Sequence, residues 1–283
     1  MAATAEGFEI RAGFAGARGR AGERALQGAV IFWFLVTFVG QFLFALHIVS
    51  FYGRTAAVGD FAAWNKHLEV GVISGDTVGN GALGMHLAMA AVVTVCGLLQ
   101  LIPLIRQRAP VFHRWMGRVY IVAAFAVSAA ALYLQLVRGA VPGGLLQHTG
   151  LVLNAVLIML FAATALNAAR ARRFASHRRW ALRLFMASSG VWFFRVGLFF
   201  WLLVNRGPVG FDPNRFEGPF LTFLSFAQYL LPLAVLEVYL RVRERGGAFG
   251  KRAVAVTVVL LTLVMMVGIF GHARFMISRG VAI

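Results

Sequence analysis

Four of the chain's seven histidines stand at the heads of apolar stretches, where they could do chemistry. Gly84-Met85-His86 opens one stretch and Gln147-His148-Thr149 another. Phe112-His113-Arg114-Trp115-Met116-Gly117-Arg118 and Ser176-His177-Arg178-Arg179-Trp180-Ala181-Leu182-Arg183 open two more. An imidazole is a good ligand for haem iron or a transition metal. His47 and His272 lie near the far ends of other apolar stretches, and His67 lies in a connection. Histidine, arginine and tryptophan at a helix head are also ordinary interface anchors, so His113 and His177 carry that plainer reading as well. Arg195 is of another kind. It falls in the middle of an apolar stretch, and no Asp or Glu lies in the middle of any. A charge at that depth is costly. It points to an anionic ligand, such as a propionate or lipid phosphate, or to a polar cavity. Asn154, Gln41 and Gln228 are candidate uncharged partners, and a hydrogen bond to backbone carbonyls is the structural alternative.

The elements that must position these groups are membrane helices. The chain has 283 residues, 60% of them hydrophobic and 13% charged, against about 25% charged in a soluble domain. Windows of about 20 apolar residues recur, the length that crosses the hydrocarbon core. The spacing predicts an all-α membrane protein of about seven spans, near 29–52, 86–105, 115–137, 146–167, 180–204, 220–240 and 253–275. A Gly/Ala/Arg-rich segment, 1–27, is expected to be mobile and cytoplasmic, with 28–283 a single polytopic membrane domain. Pro232 predicts a kink in the sixth span. The order His, Arg, Trp, Arg recurs after His113 and His177, and the two outer histidines stand at nearly the same separation. The sequence therefore reads as a duplicated helical hairpin, 84–138 and 146–204, forming a central four-helix bundle. The lone Cys96 lies within a span and reads as a small core residue.

Most of the 27 lysines and arginines fall in alternate connections. That alternation predicts an inner-membrane protein with its N-terminus in the cytoplasm. It places His86, His148, His47, His67 and His272 on the outer side and His113 and His177 on the inner. It also accounts for the net charge of +17 through contact with anionic lipid, and leaves no soluble basic domain to bind nucleic acid.

Gly97-Leu98-Leu99-Gln100-Leu101-Ile102-Pro103, His113-Arg114 with Gly117-Arg118-Val119-Tyr120, Ser176-His177-Arg178-Arg179-Trp180 with Arg183, and Arg195 resemble the pattern of domain-of-unknown-function 2306. That is a family of predicted bacterial integral membrane proteins. The resemblance covers spans two to five and implies a fold rather than an activity. The family has Met after the second Trp, where this chain has Ala181. In arrangement, the four histidines also resemble the transmembrane dihaem cytochromes b, whose four central helices each supply one ligand and pair alternately. That likeness implies haem b held by His86 with His148 and by His113 with His177. Arg114, Arg118, Arg178, Arg179, Arg183 and Arg195 would face propionates. Trp115, Trp180, Trp192 and Phe194 would line the sites. Electrons would pass to or from a quinone or a small reductant.

Two other classes fit the same residues. His86, His148, His47 and His272 could form an outer-face transition-metal or transport site. A non-catalytic membrane subunit, binding no cofactor and working within a larger complex, would use the repeat for packing alone. The sequence has no nucleotide-binding loop, no nucleophile–base motif and no paired intramembrane carboxylates, which argues against hydrolysis and proton pumping.

Overall fold

The computed structural model describes residues 2–66, 68, 70–139 and 143–278, with side chains from residue 19 onward. His67, Glu69, Pro142 and Arg279, which the sequence places in connections or the C-terminal tail, lie outside the described residues. Among the described residues ten α-helices follow in order, with no strand. α1 (Ala2–His47) begins inside the segment expected to be mobile and runs through a π-helix, Ile48–Gly53, into α2 (Arg54–Ala57). A short 3-10 helix, Phe61–Lys66, follows. α3 (Thr77–Leu101) starts where the Asp76 carboxylate accepts from the Gly79 N–H at 2.8 Å, satisfying one of the donors a helix start leaves over. Proline opens α4 (Pro103–Arg108), α5 (Pro110–Leu136) and α9 (Pro219–Arg245), a position where its missing N–H is not needed. α6 (Leu145–Arg170), α7 (Phe174–Ser188), α8 (Gly190–Asn205) and α10 (Ala248–Ser278) complete the set. α9 continues through Pro232.

Among the described residues six helical stretches are long and apolar enough to cross a bilayer, and α7 with α8 forms a bent pair that makes a seventh if the two are one span. The sequence predicts that crossing as one helix over 180–204. The structure bends it by 48° at Ser189. Ser188, Ser189 and Gly190 are poor helix formers in succession. Polar side chains from two other helices meet the break. Gln41 Nε2 donates to Ser189 Oγ at 2.8 Å, and the Tyr120 hydroxyl pairs with Ser188 Oγ at 2.8 Å.

Four helices close a ring: α3 packs on α5, α5 on α6, α6 on α7, and α7 returns to α3. They share one core. It includes Val93 and Cys96 of α3, Tyr120 and Ala124 of α5, Phe161 and Ala162 of α6, and Leu184 and Ala187 of α7. Ala124, Ala162 and Ala187 have no exposed surface. Small residues at such interfaces let helix backbones approach closely, which is how helices associate in lipid. α3 thus opposes α6 across the ring, and α5 opposes α7. Outside it, α1 packs on α10 and α3, α10 on α8, and α9 on α6, α7 and α8. The α8–α10 seam is tight, because a Cβ on Gly268 would collide with the Val196 carbonyl. The two predicted hairpins differ in build. The first consists of two unbroken spans, whereas the second ends in the broken one.

Candidate functional site

The histidines sort to the two ends of the ring. His86 on α3 is half-buried, and its Nδ1 lies 3.1 Å from the Val127 carbonyl of α5. A carbonyl oxygen only accepts, so Nδ1 carries the proton and Nε2 presents a lone pair. His177 on α7 repeats this at the other end, with Nδ1 at 2.9 Å from the Ala165 carbonyl of α6. His113 on α5 interacts electrostatically with His177 and Arg106. Its Nδ1 is buried without a hydrogen-bond partner, and its backbone carbonyl accepts from Gln100 Nε2 at 3.0 Å. His148 is half-buried at the head of α6, on the helix opposite His86. One histidine of each expected pair therefore has a fixed tautomer with its free nitrogen available.

The arginines divide. Arg183 grips Glu237 of α9 with two hydrogen bonds, Nε to Oε1 at 2.7 Å and Nη2 to Oε2 at 3.1 Å, and stands 4.4 Å above the Trp180 ring. Arg179 pairs with Glu244 at 2.6 Å. Both are expected to face propionates, and both are instead engaged in holding α7 to α9. Arg114, Arg118 and Arg178 are exposed at the His113 end, with Arg118 lying over its own helix's Trp115 at 4.6 Å. Of the expected aromatic lining, Trp115 is exposed, Trp180 packs on Phe161 at 5.6 Å, Trp192 is buried, and Phe194 meets Phe216 at 6.2 Å.

Arg195 gathers what the sequence left scattered. Among the described residues it makes no ion pair. Its polar contact is a 3.4 Å bond to the Val191 carbonyl of its own helix, and its guanidinium lies 5.0 Å from the Phe44 ring centroid. Tyr52, His86 and His272 all lie within its electrostatic reach, and His272 also interacts with His47. His47 meets the Tyr52 ring edge-on at 5.9 Å. His272 packs against Phe199 at 5.0 Å and Phe44 at 6.2 Å. Two of the four histidines expected at an outer metal site, His86 and His272, thus interact with one arginine, His47 interacts with His272, and His148 stands on the helix across the ring. Among the described residues no three His, Cys, Asp or Glu side chains gather where one metal ion could take them all. A crevice of about 10 Å³ between α1, α8 and α10 is lined by Gly40, Leu43, Trp192, Val196, Ile269, His272, Ala273 and Met276.

Sequence reasoning missed Tyr52 and the helix break. Ser188-Ser189-Gly190 was the signal for the break. It also missed a clasp at the His86 end. There Arg138 Nε meets Asp76 at 2.9 Å, and Nη2 donates to Asn80 Oδ1 at 2.8 Å.

The ring and α8 fall within a stretch that matches a known family. Residues 83–210 match the model of a family described as predicted membrane protein, domain of unknown function 2306. The match covers less than half of the chain, so it is a likeness of that stretch to the family. Nothing among the curated proteins or the solved structures matches the chain. The family stretch holds all four ring histidines and Arg195. Tyr52, His47 and His272 come from outside it, on the flanking helices.

Proposed function

We propose that this membrane protein is a b-type cytochrome-like redox protein. His86 with His148 would hold one haem b, and His113 with His177 a second. The observation that supports this is the matched orientation of His86 and His177 on the two diagonals of the ring. Each donates Nδ1–H to a carbonyl of a neighbouring helix, the outer-shell bond that fixes and enriches a ligating imidazole. The donor chemistry fits, with Arg195 beside the His86 end and Arg114, Arg118 and Arg178 at the other as cations for propionates. Phe161, Trp180 and Met116 occupy the core, so haem would be held by the histidines at the two ends of the ring. Bound haem would supply one-electron chemistry. The chain's part is to fix the imidazole tautomers, hold the bundle closed and place positive charge near each pair. The alternation of basic connections supports a cytoplasmic His113 end and an inner-membrane location. Reporter fusions after Arg108 and Lys251 should read cytoplasm, and one after Arg215 the outside.

A visible spectrum of protein expressed with ample haem tests the reading. We expect a Soret band. His86→Ala and His148→Ala should each remove the same share of it, and His113→Ala and His177→Ala the other share. A colourless, metal-free wild type leaves the non-catalytic membrane subunit in its place.

A further inference from the structure

At the His113 end, three arginines from three helices stand around the rim of one apolar core. α3, α7 and α9 share that core through Leu98, Phe185, Met186, Leu236 and Leu240, with Leu101, Leu182 and Tyr239 packed against it. Residues four apart lie on one face of a helix. Arg178 stands four residues before Leu182, and Arg243 four after Tyr239. Both therefore rise from the rim of the core. Arg243 leans back over it, with its guanidinium 6.0 Å from the Tyr239 ring centroid. Past Leu101 the chain turns at Pro103 into α4, which carries Arg106. Arg178 interacts electrostatically with both Arg106 and Arg243. The carboxylates at this end are already engaged: Glu237 with Arg183, Glu244 with Arg179, and Glu23 with Lys251. Among the described residues none of the three rim arginines has an ion pair. Like charges gathered this way repel, and an anion between them relieves each. Leu104, two residues before Arg106, and Phe174, four before Arg178, are exposed apolar side chains. The rim thus offers cations and apolar contact together, where the helices leave the hydrocarbon.

We propose that the rim formed by Arg106, Arg178 and Arg243 binds an anionic phospholipid whose head carries two phosphates, of the cardiolipin kind. A guanidinium meets phosphate oxygens with paired N–H donors, and three of them suit more charge than one phosphodiester bears. Basic pockets between membrane helices on the cytoplasmic side take such heads. The acyl chains would run down beside Leu104 and Phe174. A soluble phosphate would answer the charges but not the exposed apolar side chains. The site goes beyond the redox reading, which uses Arg178 alone of the three.

Native mass spectrometry of the purified protein in detergent, titrated with cardiolipin, reads the binding. We expect a saturable one-to-one adduct, at least tenfold tighter than with phosphatidylglycerol or phosphatidylcholine. Arg106→Gln, Arg178→Gln and Arg243→Gln should each weaken it several-fold, and the triple variant more than tenfold. A control triple, Arg108→Gln with Arg241→Gln and Arg245→Gln, removes the same charge at the same end. Each of its positions is two residues from a rim arginine, so it faces another way, and binding should stay within about twofold of wild type. All six arginines are exposed, and thermal unfolding checks that both triples fold. Equal losses in the two triples would mark a diffuse basic surface and overturn the proposal. So would adducts without preference among the three lipids, or displacement of cardiolipin by inorganic pyrophosphate at equal concentration. Arg106→Gln and Arg243→Gln should leave any Soret band unchanged, so failure of the lipid site and failure of the haem reading stay distinguishable.

Discussion

Arg183 and Arg195 lie on the two halves of one bent crossing, and the protein treats them in opposite ways. Arg183, on α7, is clasped by Glu237 through both its forks and roofed by Trp180. Arg195, on α8, has a phenyl ring and a carbonyl of its own helix. The halves differ in surroundings to match. α7 carries His177, Arg178 and Arg179 and meets carboxylates from α9. α8 is apolar apart from Arg195 and its last residue, Asn205, and lies against a glycine of α10. A guanidinium with a fitted carboxylate is part of the scaffold, with its desolvation offset by the partner. One kept in hydrocarbon without a partner is retained against its cost, which is the mark of a group that meets something else.

The largest effect should come from prying α8 off α10. Gly268→Val puts a branched side chain against the Val196 carbonyl, where even a Cβ collides. We expect about 3 kcal/mol or more of destabilisation, since overpacking a tight contact forces the backbone to move. Thermal unfolding in detergent measures it. A midpoint equal to wild type would show that α8 is free to shift, contrary to a fixed second half.

Next in size is the clasp on the first half. Arg183→Gln leaves Glu237 without its bidentate partner, at a cost of about 2 kcal/mol. Glu237→Gln should cost a similar amount. The double variant should cost clearly less than the sum, because the two act as one interaction. Additive losses would mean that the pair does not hold α7 to α9.

Much of this contrast was legible before the structure and part was not. Apolar windows located the spans, and a charge in the middle of one singled out Arg195. Hydropathy is blind to a break inside a window, so α7 and α8 read as one helix, although Ser188-Ser189-Gly190 marked the place. Partners far apart in sequence leave no local trace, so nothing beside Arg183 or Arg179 in the chain shows that Glu237 and Glu244 pair with them. Likewise the matching depth of His47, His86, His148 and His272 was visible, but depth does not say which helices are neighbours. The ring closure puts the helix of His148 across from that of His86, and α1 and α10 bring His47 to His272.

A smaller effect is expected where the halves join. Tyr120→Phe removes the hydroxyl that crosses the ring to Ser188 at 2.8 Å. Ser188 Oγ still donates to the Phe185 carbonyl at 3.2 Å, so no buried group is orphaned. The cost should be about 0.6 kcal/mol, the typical worth of such a bond between membrane helices. A loss matching that of Arg183→Gln would make the polar link, rather than packing, what holds the bend.

The smallest effect on stability, and the one that decides the comparison, belongs to Arg195→Gln. Glutamine keeps a donor for the Val191 carbonyl and removes a charge that no carboxylate offsets. Taking away an uncompensated charge in a low-dielectric setting relieves desolvation instead of exposing a stranded partner. The unfolding midpoint of the apoprotein should therefore stay where it is or rise, while Arg183→Gln lowers it. The two arginines would then separate cleanly, only Arg183 setting stability. If Arg195→Gln lowers the midpoint as far as Arg183→Gln does, Arg195 is a structural strut. Its place among Phe44, Tyr52, His86 and His272 would then be packing, and the assignment of the two halves to scaffold and site would fall together.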